Sequence, residues 1–112
     1  MNEIDLSNLK SQLLKGVLEY CVLLILNGGK SYSNDIFKKL KDASIDSSEA
    51  SIYTLLNRLK KEKKVEYEWV ESPFGPPRKY YSLTEFGKAS LKVIERTWND
   101  MAKSISQIAG IK

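Results

Sequence analysis

Between Ser48 and Lys64 the chain gathers Arg58, Lys60, Lys61, Lys63 and Lys64 against only Glu49 and Glu62, a local charge of +3 in a protein whose total is +4. Ser51, Tyr53, Thr54 and Asn57 lie in the same segment. Cationic side chains bind phosphate oxygens, while hydroxyl and amide groups donate to and accept from base edges. A second basic point stands at Arg78-Lys79, so two positive sites flank one polar stretch, as the two backbones of a duplex flank a groove. Each site also has a plainer reading. Arg58 to Lys64 suits the negative end of a helix dipole, and charge at residues 78–79 favours solubility.

Other chemistry is poorly provided for. The chain has no histidine, and its single cysteine, Cys21, lies inside the apolar run Val17 to Leu26, where a thiol behaves as a small hydrophobe. A zinc site would need carboxylates alone, and a serine nucleophile would lack its usual base. We therefore expect no catalytic residue, no metal and no cofactor: the protein is not read as an enzyme. The apolar stretch Tyr20 to Leu26 falls far short of the roughly 20 residues of a membrane-spanning helix. The expected setting is a reducing cytoplasm.

The elements that must position the basic segment follow from periodicity. Apolar side chains at Leu6, Leu9, Leu13, Leu14, Val17, Leu18, Cys21, Val22, Ile25 and Leu26 predict one helix over 6–26, stopped by Asn27-Gly28-Gly29. A short second helix is expected from a Ser33 cap through Ile36, Phe37 and Leu40. A third, Asp46 to Lys63, has Asp46 and Glu49 spaced as a capping box and Ile52, Leu55, Leu56 and Leu59 facing inward. The period then becomes two, with Val65, Tyr67 and Trp69 on one side of a strand. A turn over Ser72–Pro77 and a returning strand Lys79–Leu83 complete a hairpin, and Thr84 can cap a last helix. In that helix Leu91, Ile94, Trp98, Met101, Ile105 and Ile108 recur at three and four, a heptad seam that one small domain cannot cover by itself.

The expected fold is thus α+β, mostly helical: a winged helix-turn-helix over residues 1–84, including the first helix, and a long C-terminal dimerisation helix over 85–112. The third helix is the one expected in the major groove. Its outward set is Ser51, Tyr53, Thr54, Asn57, Arg58, Lys60 and Lys61.

Two blocks of the sequence, Ser51-Ile52-Tyr53-Thr54-Leu55-Leu56-Asn57-Arg58-Leu59 and Pro77-Arg78-Lys79-Tyr80-Tyr81-Ser82-Leu83-Thr84-Glu85-Phe86-Gly87, closely resemble the PadR family of bacterial transcriptional regulators. The resemblance runs from about Leu13 to about Ile108. It implies a homodimeric repressor whose third helix and wing grip an inverted-repeat operator on double-stranded DNA, with Tyr32 and Ser33 at the start of the second helix near the backbone. The short C-terminal helix with a central Trp98 resembles the small, LmrR-like, multidrug-sensing subclass, which implies a small-molecule effector, planar and apolar or cationic, held between paired tryptophans. Two positions depart from the family pattern: Ser33-Asn34 stands where Gly-Tyr is usual, and Lys63 where Gly usually follows the recognition helix.

A tryptophan in a heptad seam is also simply a large interface residue, and Tyr20 and Glu19, which could line an effector site with Trp98, could equally be packing and surface. Two rival functions stay open at this point. One is a winged-helix adaptor whose basic patch binds an acidic protein; the other is a DNA-binding regulator with no effector.

Overall fold

The computed structural model describes residues 3–110. Five helices and a small sheet follow one another as α1 (Leu6–Leu14), α2 (Leu18–Asn27), β1 (Ser31–Tyr32), α3 (Ser33–Asp42), α4 (Glu49–Lys61), β2 (Val65–Ser72), β3 (Gly75–Leu83) and α5 (Glu85–Ala109). The sheet is antiparallel in the order β1-β3-β2. The architecture is the mostly helical α+β winged helix-turn-helix expected.

The continuous first helix is corrected to two. Its hydrophobic period runs across Lys15-Gly16-Val17, but the helix does not, because glycine is a poor helix former and no tertiary packing compensates there. α2 buries Val22, Leu23 and Leu26, whereas α1 buries nothing and is held at its start by the Asp5 side chain accepting from the Asn8 amide at 3.0 Å. Two helix starts also move. α3 begins at Ser33 itself, with Tyr32 in the cap position, so the Ser33 hydroxyl does not cap it. α4 begins at Glu49, and its cap is Ser48, whose hydroxyl accepts from the Ser51 amide at 3.0 Å; the Asp46–Glu49 capping box is not formed, since Ser48 is the last extended residue.

The hairpin turn is tighter than the expected Ser72–Pro77. Ser72 pairs with Gly75, leaving Pro73-Phe74 at the tip, and a register irregularity lies between Val70 and Ser72. Pro76 and Pro77 enter β3 beyond the reach of β1, which pairs only with Tyr80 and Tyr81, so their missing donors leave no ladder bond unmade on that side. β1 itself was not expected: two residues carry no period.

One core joins these pieces. Ile36 and Leu40 of α3, Ile52, Leu56 and Leu59 of α4, Val22 and Leu23 of α2, Val65 of β2 and Tyr81 of β3 all bury against one another. Leu91 of α5 completes it at 5% exposure. The rest of the α5 seam lies increasingly open: Ile94 is half-buried, Trp98 is 43% exposed and Ile108 87%. α1 likewise leaves Leu6, Leu9 and Leu13 uncovered.

Candidate nucleic-acid interface

With Ile52, Leu55, Leu56 and Leu59 turned into the core, helical geometry divides the remaining surface of α4 into three parts. Thr54, Asn57 and Lys61, with Ala50, lie opposite the core and point straight out. Tyr53 and Lys60 occupy the flank toward α3 and the wing. Tyr53 joins Ser33, Asn34 and Glu49 around a crevice of about 30 Å³, and the Lys60 ammonium lies 5.7 Å from the Tyr67 ring centroid. Ser51 and Arg58 occupy the other flank, toward α2. Ser51 takes a hydrogen bond from the Ser48 hydroxyl at 2.8 Å, and both residues line a cleft shared with Leu18, Glu19 and Ile94. The seven outward residues therefore do not form one surface.

Arg58 is the clearest case. Its Nη2 donates to Glu19 Oε1 of α2 at 2.8 Å and its Nη1 to Glu62 Oε2 at 3.1 Å. Lys64 donates to the same two carboxylates at 3.1 Å each. Bonding to Glu19 raises the Arg58 guanidinium pKa further, and Lys64 is also held above its ordinary value because Glu19 and Glu62 outweigh the opposing effect of burial. Bonds from Lys64 and then Arg58 lower Glu62. Arg58 and Lys64 are thus neutralised where they stand. Lys60, Lys61 and Lys63 supply the uncompensated charge of this region.

On the wing, Arg78 and Lys79 are held by aromatic faces. The Arg78 guanidinium lies 4.7 Å from the Tyr32 ring, and Lys79 Nζ lies 4.4 Å from Tyr67 and 5.4 Å from Trp69. Cross-strand pairing of Trp69 with Lys79 and alternation along β3 place the two cations on opposite faces of the hairpin. Tyr32 is half-buried, packed on Tyr80 at 5.6 Å between ring centroids, and its hydroxyl accepts from Asn34 Nδ2 at 3.3 Å. The usual Tyr at position 34 is thus replaced by an amide bonded to a neighbouring phenol. Tyr81 is the inward member of the Tyr80–Tyr81 pair, and burial pushes its hydroxyl up.

The residues considered for an effector, Tyr20 and Glu19, lie in the first turn of α2, the end that Arg58 and Lys64 bond. The Tyr20 ring stands 6.3 Å from that of Trp98, tilted by 48°. Tyr20 and Glu19 line a cleft of about 630 Å³ between α1, α2 and the start of α4, which Ile94 of α5 borders and Trp98 does not line. Burial raises the Cys21 thiol, as suits a packing role. Among the described residues there is no cluster of metal-ligating side chains and no helix long and apolar enough to cross a membrane. The pairing of Glu19 with Lys64 was invisible in the sequence: 45 positions separate the partners, and only the Arg58–Glu62 spacing hinted at an ion pair there.

Comparison with known proteins agrees with this fold. A PadR-like transcription factor from Bacteroides fragilis is 46% identical, with 90% of this chain and 98% of that one covered and a TM-score of 0.77. A PadR-like transcriptional regulator from Bacillus cereus is 35% identical over 90% and 99% of the two chains, with a TM-score of 0.78. Bacillus subtilis PadR, solved in complex with operator DNA, is 28% identical over 68% of this chain and 45% of its own, at a TM-score of 0.63. The model of the transcriptional regulator PadR-like family matches residues 22–93, from α2 through the winged domain into the first turns of α5, and the chain belongs to that family.

Proposed function

We propose that this PadR-like regulator acts as a homodimeric repressor, with α4 of each protomer in a major groove of an inverted-repeat operator and Arg78 and Lys79 on the flanking backbone. One observation carries the reading. Thr54, Asn57 and Lys61 form an outward polar strip on α4, bordered by Lys60 and by wing cations already oriented on Tyr32, Tyr67 and Trp69. Asn57 offers the paired donor and acceptor that suit adenine, and the lysines suit phosphate. That the Bacillus subtilis relative was solved in complex with operator DNA supports operator DNA as the partner.

Pairing of two copies is supported by the open seam Trp98, Met101, Ile105 and Ile108 together with the uncovered Leu6, Leu9 and Leu13 of α1. In functional terms residues 1–84 read DNA and residues 85–112 join the protomers. A planar apolar or cationic effector would sit against Trp98 and Tyr20, with Glu19 at the edge of the site, and would release the operator.

The test is selection of duplexes from a random library by the purified protein. Enrichment of an inverted repeat with half-sites about 10 base pairs apart is expected. Salt-sensitive binding with no enriched sequence would count against the reading and in favour of an adaptor with an acidic partner. For the effector, planar cationic dyes should quench tryptophan emission in wild type and fail to do so in Trp98→Ala.

A further inference from the structure

Glu19, Arg58, Glu62 and Lys64 close a four-membered ring of alternating charge, with its four links between 2.8 and 3.1 Å. The ring joins three elements. Glu19 lies in the first turn of α2, Arg58 and Glu62 end α4, and Lys64 precedes β2, its backbone carbonyl accepting from Thr84 at the root of α5 at 3.1 Å. Glu19 and Lys64 are the sheltered members, their side chains 20% and 19% exposed, whereas Arg58 is half exposed. Among the described residues, the bonds of Glu19 are the only side-chain hydrogen bonds from α2 to the segment running from α4 into the wing. Such a ring opposes rotation of α4 that would carry Arg58 away from α2, because that motion lengthens the Arg58–Glu19 link.

We propose that Glu19 is a positioning residue for operator recognition: it fixes the rotation of α4 against α2, and so the direction in which Asn57 and Lys61 are presented, without touching DNA itself. The inference rests on the assignment of α4 to the groove. Glu19 also adjoins Tyr20, whose ring meets Trp98, so the device stands between the α5 seam and the recognition helix. Its side chain also lines the cleft between α1, α2 and α4.

The experiment compares wild type, Glu19→Gln and Glu19→Asp on a duplex selected by the wild type from a random library and on a scrambled duplex of equal length. Glu19→Gln keeps the side-chain shape and removes the charge; Glu19→Asp keeps the charge and shortens its reach, and serves if the first variant does not fold. The expected result is a fall of about tenfold in the ratio of selected to scrambled affinity, with scrambled binding unchanged or stronger because one negative charge is gone or displaced. In an Arg58→Gln background the same change at Glu19 should alter the ratio less than about twofold, since its link to α4 is already broken and only the bond to Lys64, beyond the helix, remains. An unchanged ratio, equal loss on both duplexes with lowered melting temperature, or additive effects in the double variant would overturn the proposal. If instead Asn57→Ala and Lys61→Ala leave binding of the selected duplex untouched, the assignment of α4 to the groove fails first.

Discussion

Gly87 in the first turn of α5 lies against the backbone carbonyl of Lys64, so closely that a methyl group at position 87 would overlap the carbonyl oxygen and meet the carbonyl carbon at 3.0 Å. The approach is drawn tight by Thr84, whose hydroxyl donates to the Lys63 carbonyl at 2.6 Å and accepts from the Gly87 amide at 2.9 Å, while its own amide donates to Lys64. The end of α4, the wing root and the start of α5 are one joint. Because the obstacle is backbone, it cannot swing aside. Gly87→Ala should cost about 3 kcal/mol, read as a lowered midpoint in urea; a midpoint within error of wild type would show that the joint is looser than it stands here.

Lys63 occupies the left-handed region at φ 63°, one residue past the α4 cap, where Lys64 N–H returns to the Leu59 carbonyl at 2.9 Å. That conformation is costly for a side chain bearing Cβ and free for glycine. Lys63→Gly is therefore expected to stabilise the fold by about 0.5 to 1 kcal/mol, and to weaken DNA binding through the lost charge. Thermal melts and salt titrations read the two effects separately.

The α5 seam is divided between the protomer core at Leu91 and an open face from Trp98 onward, and substitutions should separate the two. Leu91→Asp would bury a charge in the protomer core and should abolish folding. Ile105→Asp, at a position 63% exposed in the protomer, should leave the circular dichroism of the winged domain intact and shift sedimentation from dimer to monomer. A wild-type monomer at micromolar concentration would rule out the homodimer.

On α4, Asn57→Ala should cost about 1 to 3 kcal/mol of operator affinity and relax preference at one base pair, and Lys61→Ala should reduce the salt slope by about one unit. Neither should move the melting temperature much. Leu56→Ala, fully buried, should instead cost about 2 to 5 kcal/mol of stability.

Acid should weaken the ring. Glu62 is held below the ordinary carboxylate value by Lys64 and Arg58, so its contribution is present above the unfolded pKa and is lost as pH falls through the lower folded value. Glu62→Gln should flatten the stability profile as pH falls below the ordinary carboxylate range. An unaltered profile would mean that the Glu62 bonds contribute nothing in solution.

Much of this protein is local and was therefore legible from its residues. The inward stripe Ile52, Leu55, Leu56 and Leu59, the Thr84 cap and the change of period at Val65 each depend on neighbours a few positions away, and together they placed the winged fold and the basic, amide-bearing helix. The break at Gly16 is not legible in the pattern because a hydrophobic stripe continues through a loop as readily as through a helix, nor is β1, because two residues have no period. Tertiary structure alone decided which cations are free. Along the chain Arg58 differs from Lys61 only by its i,i+4 spacing to Glu62, but folding brings Glu19 from 39 positions away to neutralise the first, while the second projects into solvent. It also divided one heptad seam between the core, at Leu91, and an open surface, from Trp98 onward. Periodicity reports which side chains share a face; what that face meets depends on elements packed from elsewhere in the chain.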